Sequence, residues 1–200
     1  FEPAMRHLLD MYIRADDSEL LMDFEELGLI ELIVEKGAEA VDSLPESIRK
    51  DPEAMAETIE NNVRKTIVDE NPVNPKYYEH MSTLLDELIQ LRRQKAIEYQ
   101  EYLEKIRELS QKVKRPQQSK SDYPDSMDTQ AKRAFYDNFG KDEVLATKID
   151  SAIRFTKRAD WLGDRFKERE IANAIREESA GYDVDIASVM ELAKAQKEYH

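Results

Sequence analysis

The sequence predicts an all-α chain, a multi-helix bundle of about eight to ten helices forming one body or two packed sub-bundles. Three observations carry that expectation. Helix-favouring Glu, Lys, Ala, Leu, Arg and Gln are abundant, glycine numbers only 5 in 200 residues, and few Val/Ile/Thr runs reach strand length. Apolar residues recur at i, i+3, i+4 spacing along most of the chain, the period of a helix with one buried face. Asp51-Pro52 and Asn74-Pro75 each open such a stripe, supplying a capping oxygen and a residue preset for the first helical position.

Taken in order, Met5, Leu8, Leu9, Tyr12 and Ile13 predict a short helix from Pro3 to about Arg14. Asp17 or Ser18 can cap a second through Leu20, Leu21 and Phe24. The run Leu27–Val34 is the most apolar in the chain and has the length of a buried strand or a buried helix. Its charged flanks, Glu25, Glu26, Glu31, Glu35 and Lys36, fall along a helical face, so a helix is expected, ended or bent at Gly37. After Asp51-Pro52, Met55, Ile59, Val63 and Ile67 mark a helix to about Asp69. The Asn71-Pro72 and Asn74-Pro75 pairs then force a corner, because a residue before proline is pushed out of the α region.

From Pro75, the residues Tyr78, Met81, Leu84, Leu85, Leu88 and Leu91 predict a helix to about Gln94. Neighbours on a helix point about 100° apart, so Tyr78 faces the core while Tyr77 edges it with a hydroxyl that needs a partner. Beyond a break near Lys95-Ala96 the stripe continues through Tyr99, Tyr102, Leu103, Ile106, Leu109 and Val113. Antiparallel packing of residues 51–69, 75–94 and 97–114 would bury all three stripes. Residues 115–128 lose the periodicity and gather Pro, Ser, Gln and Asp, which reads as a linker or long loop between a helical region over 1–114 and another over 129–200. In the latter, helices are expected over Thr129–Phe139, Asp142 to about Lys157, Asp164 to about Ser179 and Asp185–Tyr199. Leu145, Ile149, Ala152 and Ile153 form one core face, and Ile171, Ala174 and Ile175 another.

Charge and composition narrow the function classes. The net charge of −13 is concentrated early: residues 1–70 hold 19 acidic and 7 basic side chains, residues 71–115 hold 7 and 9, and residues 116–200 hold 17 and 14. A surface that holds nucleic acid normally presents net positive charge, so the first third argues against direct DNA contact. Cysteine is absent, which removes disulfides, thiolate nucleophiles and Cys-containing zinc sites. No apolar run approaches the roughly 20 residues needed to cross a bilayer. Phe1-Glu-Pro-Ala-Met-Arg6 has neither an initiator Met nor a signal pattern. The expectation is a soluble, cytoplasmic piece of a longer protein with no membrane partner.

The common catalytic signatures are missing from the sequence. Helical di-metal carboxylate sites use Glu-x-x-His, but Ala4, Tyr77 and Lys197 stand three residues before His7, His80 and His200. Lys65-Thr66 and Lys120-Ser121 lack the glycines of a phosphate-cradling loop. No lysine follows Asp or Glu at a spacing of two, the arrangement with which many nucleases hold Mg²⁺ and assist the attacking water. A G-x-S-x-G nucleophile elbow is absent as well. No catalytic, cofactor-binding or metal-binding residue is therefore assigned.

One electrostatic feature stands out. Arg154, Lys157, Arg158, Arg165, Lys167 and Arg169 crowd around Trp161, the single tryptophan. Such a patch could meet phosphate or an acidic protein surface. Asp160, Asp164, Glu168 and Glu170 are interleaved with it, the pattern of a solvated, self-neutralising face. Trp161 reads as an anchor packed between helices, followed by Gly163-Asp164 as turn and cap.

The strings Asn61-Asn-Val-Arg-Lys-Thr-Ile67, Asn74-Pro75-Lys-Tyr77-Tyr78 and Met81-Ser82 carry a family resemblance. Ser18-Glu19 to Phe24, Glu35-Lys-Gly37, Glu57 to Lys65, Arg92-Arg93, Tyr99-x-x-Tyr-Leu103, Tyr123-Pro124, Arg133-Ala-Phe-Tyr-Asp137, Trp161 and Phe166-Lys-Glu-Arg-Glu170 extend it in order over nearly the whole chain. Together they resemble the helical C-terminal domain of the R subunit of type I restriction enzymes. The resemblance implies a parent with a Mg²⁺-dependent nuclease domain, two helicase-like motor domains that translocate DNA with ATP, and this helical domain last. It implies docking onto the methyltransferase and specificity subunits, with DNA engaged mainly through the parent complex. A DNA-guiding module that uses the patch around Trp161, or an unrelated helical scaffold, are the alternatives.

Overall fold

The computed structural model describes Val34, residues 50–116 and residues 123–200; among these the stripes read from the sequence lie on helices, except at the C-terminal end, and no strand occurs. The helices expected over Pro3–Arg14 and from Asp17 through the Leu27–Val34 run, with the stop at Gly37, lie outside the described residues, except that Val34 is helical and buried. Seven α-helices occupy the described residues, against about eight to ten expected of the whole chain. They are α1 (Pro52–Glu70), α2 (Pro75–Arg93), α3 (Tyr99–Lys114), α4 (Gln130–Asn138), α5 (Glu143–Thr156), α6 (Arg165–Glu178) and α7 (Ile186–Ala195). Short 3-10 turns cover Asn71–Val73 and Lys197–Tyr199. The first of these is the proline corner.

Helix starts follow the caps read from the sequence. Asp51 Oδ1 accepts from the Glu53 and Ala54 amides at 2.9 and 3.3 Å. Thr129, Asp142, Asp164 and Asp185 cap α4 to α7 in the same way. Each such cap satisfies amides with no partner inside the helix and contributes about 0.5–2 kcal/mol.

The chain divides into two compact units, residues 1–62 and 63–200, with the boundary inside α1. In the first unit Met55, Ala56 and Ile59 are buried. In the second, α2 and α3 pack antiparallel: Tyr77 and Tyr78 at the start of α2 donate to the carbonyls of Lys112 and Val113 at the end of α3. Helix α4 packs on α2 and α5, α5 on α6, and α7 closes against α4, α6 and the Asn71–Val73 turn. Phe135, Ile149, Ile153, Trp161, Ile171, Ile175, Val189 and Tyr199 are among the buried residues of the core these helices share.

Two expectations are corrected. Leu84 is only half-buried and Leu91 is 37% exposed, whereas Arg92 is 8% exposed with its guanidinium 5.6 Å over the Tyr102 ring. A straight helix keeps its buried line by alternating steps of three and four, so Tyr78, Met81, Leu85 and Leu88 lead to position 92 and leave 84 and 91 on the shoulder. The described end of the 115–128 segment is loop with packed contacts: Met127 is buried, its carbonyl accepts from Arg133 Nε at 2.8 Å, and the same guanidinium lies over Tyr123. Finally, the helix expected over Asp185–Tyr199 stops at Ala195. The Gln196 side-chain amide donates to the carbonyls of Leu192 and Val73, and the chain then turns.

Candidate functional site

Trp161 lies in the α5–α6 connection and is buried, 2% exposed, with its indole N–H donating to the Tyr199 carbonyl at 2.7 Å. Apolar burial of the ring thus comes with a satisfied polar edge. Around it the terminal turn is stitched into the core. The Tyr199 hydroxyl donates to Asp150 Oδ1 at 2.6 Å, and Arg154 Nε donates to the same carboxylate at 2.9 and 3.0 Å. Glu198 completes the network, accepting from Arg154 at 2.6 Å with one oxygen and from the Ala131 amide at the start of α4 with the other. Burial, then the Asp150 hydrogen bond, push the Tyr199 hydroxyl well above the usual tyrosine range. The hydrogen bond to Asp150 likewise raises Arg154.

The basic residues read from the sequence as one patch divide into two sets. Arg154 belongs to the network just described, and Lys157 reaches the Glu198 carbonyl at 3.5 Å. Lys167 donates to the carbonyls of Ala159 and Asp160, fastening the connection to α6. These three hold structure. Arg158 is exposed and ion-paired at 3.5 Å with Glu170, while Arg165 and Arg169 are exposed and make no ion pair among the described residues. Asp164 caps α6, and hydrogen bonds from the Lys167 and Phe166 amides hold its carboxyl below the usual range. Glu168 is held low by the Gly163 amide and pairs with Lys194. Gly163 has φ +79, a left-handed conformation that side chains resist, and this aims its amide at Glu168.

Sequence reasoning missed the most exposed large side chains of this corner, Phe155 at 90% and Phe166 at 83%. Their signal was an aromatic residue off the core stripe. Phe155 falls two positions after Ile153, about 200° around the helix, and Phe166 five before Ile171, about 140° around. Phe155 is the last residue but one of α5, three residues before Arg158, whose partner Glu170 sits one turn after Phe166 on α6. Leu162, 39% exposed, lies in the connection between them. Next to Trp161 a hollow of about 350 Å³ is lined by Lys157, Arg158, Leu162, Tyr199 and His200.

The second set of residues singled out, Asn74, Pro75, Tyr77 and Tyr78, forms a joint. Asn74 Oδ1 accepts from the Tyr77 amide at 3.3 Å and from Asn138 at 2.8 Å, while its amide donates to Asp137 at 2.7 Å. The start of α2 is thereby tied to the end of α4. Tyr77 and Tyr78 serve the last carbonyls of α3, which have no partner within their own helix.

Among the described residues no His, Cys, Asp or Glu cluster could hold a metal ion, and no helix is long and apolar enough to cross a membrane. The segments around the α5–α6 connection offer two bare aromatic rings, Phe155 and Phe166, and the guanidinium groups of Arg165 and Arg169 without ion pairs among the described residues. Comparisons with protein-family models, with curated proteins and with solved structures find no match.

Proposed function

We propose that the chain is a non-catalytic helical assembly domain that docks a type I restriction R subunit onto its methyltransferase–specificity core. The parent would supply ATP-driven translocation and Mg²⁺-dependent cleavage. The family reading rests on the ordered residue strings from Ser18 to Glu170. The docking reading rests chiefly on one observation: Phe155 and Phe166, which flank the buried Trp161 in sequence, are almost fully exposed. Burying a phenylalanine contributes about 1.5–3 kcal/mol, and aromatic and arginine side chains dominate interface energetics. Arg158, Arg165 and Arg169 around them would set orientation and encounter rate.

Duplex DNA is the competing occupant, because the same arginines could contact phosphates. Aromatic rings laid open on a helix face gain little from a duplex backbone, which favours the protein partner. The test is competition: the chain should displace intact R subunit from the methyltransferase–specificity core, and its affinity for duplex DNA should be weak at moderate salt. Tight, steeply salt-dependent duplex binding with no displacement would establish the DNA-guiding reading instead.

A further inference from the structure

A cleft of about 500 Å³ opens between the start of α2, the end of α3 and the end of α4, remote in sequence from the Trp161 corner. Its size is that of a small-molecule site. Three ammonium groups line it in a chain of net charge −13: Lys76 from α2, Lys112 from α3, and Lys141 from the turn after α4. Lys76 is diverted to Glu79 at 3.0 Å, an exposed pair that a ligand can compete with. Lys112 and Lys141 are exposed and have no ion pair among the described residues. Lys141 also sits at φ +58, uncommon for a residue with a side chain, directly after Gly140.

The remaining lining combines three tyrosines with His80, Met81, Leu84 and Asp137. Tyr77, Tyr123 and Tyr136 supply ring surface, with Tyr123 and Tyr136 edge to face at 6.2 Å. The Tyr123 hydroxyl is committed to Asp137 at 2.6 Å, and the Tyr77 hydroxyl to the Lys112 carbonyl at 2.9 Å, so both rings are held in place before any ligand arrives. Asp137 receives Tyr123 and Asn74 on one carboxylate oxygen, which leaves the other able to accept from an amino or hydroxyl group. The Asn74–Asp137–Asn138 joint therefore fixes two walls of the cleft.

Free cations opposite fixed rings, with one acceptor, match a ligand that joins a phosphate to a planar ring. We propose that this cleft is a binding site for a phosphorylated planar-ring compound of the nucleotide class, the phosphate held by Lys112 and Lys141 and the ring laid against the tyrosines. An acidic peptide would satisfy the lysines but leave the rings unused.

Isothermal titration of the full chain with adenosine 5′-monophosphate tests this, with adenosine and inorganic phosphate as separate probes. The monophosphate should bind more tightly than either half, and affinity should fall as salt rises. The Lys112→Gln and Lys141→Gln pair should weaken it by about tenfold or more without altering the circular dichroism spectrum, since charge-assisted contacts are lost and both side chains are exposed. Glu79→Gln should strengthen it by releasing Lys76. No binding of the monophosphate at millimolar concentration, equal binding of phosphate alone, or an unchanged affinity in the double variant would each overturn the assignment.

Discussion

Removing a single oxygen atom from the terminal turn, Tyr199→Phe, should weaken the whole second unit. The hydroxyl donates at 2.6 Å to Asp150, a carboxylate only 3% exposed whose other partner is Arg154. A hydrogen bond to a charged group contributes about 1.5–3 kcal/mol. Arg154 remains to balance the charge, so the larger cost of a lone buried ion, about 3–5 kcal/mol, does not apply. A loss of about 1.5–3 kcal/mol is expected, set against a total stability of about 5–15 kcal/mol. Urea unfolding followed by tryptophan fluorescence is the assay, because the single tryptophan, Trp161, donates to the Tyr199 carbonyl and reports on the same network. The midpoint should fall with the slope unchanged. Arg154→Met should cost more, because it leaves Asp150 buried with one neutral donor. A Tyr199→Phe change below about 0.5 kcal/mol, the range of an ordinary surface substitution, would refute the network as an energetic unit.

Alkaline pH should destabilise the chain. Burial raises Tyr78, Tyr123 and Tyr199, with Asp137 and Asp150 adding to the latter two. The folded state therefore keeps protons that the unfolded state gives up above pH about 10, and stability is full below that value and falls as pH rises through it. Denaturant midpoints between pH 8 and 11.5 should show that decline, less steep in Tyr199→Phe, whereas a flat profile would contradict it. Asn74→Ala should cost about 1–3 kcal/mol through the lost cap and the contacts to Asp137 and Asn138. Asn74→Asp should not rescue it, since it sets a carboxylate against Asp137; full rescue would show that capping is all Asn74 does. In α2, Leu85→Ala should cost about 2–5 kcal/mol, and the shoulder residue Leu84→Ala distinctly less. Equal losses at the two positions would mean the buried line is misplaced.

Helix positions were legible because their signals are local. Asp51, Asn74, Thr129, Asp142, Asp164 and Asp185 each sit where a side-chain oxygen meets free amides, and the stripes behind them repeat at the helical period. Burial at the edge of a stripe was less legible, because it depends on which neighbour lies alongside. The apolar Leu91 points off the line that Arg92 completes, and no string of residues announces that Tyr102 will lie beneath that guanidinium. The patch shows the same limit. Six cations close in sequence divided by their partners, and the carboxylates of Asp150 and of Glu198, the latter 44 positions beyond Arg154, decided the fate of Arg154. Gln196, reaching Val73 across 123 positions, ended α7 where local propensity would have continued it.

If the chain docks as proposed, the exposed rings of Phe155 and Phe166 meet the methyltransferase–specificity core. The most direct measurement is titration calorimetry of that core with the chain and with its Phe155→Ala, Phe166→Ala double variant. Both rings are almost entirely exposed, so the variant should unfold at the parent's denaturant midpoint. Measurable binding by the unsubstituted chain is expected, with a loss of affinity of about 10- to 100-fold in the variant, the range for truncating interface hot spots. Equal binding by the two chains, or no binding by the parent chain at low salt, would contradict it.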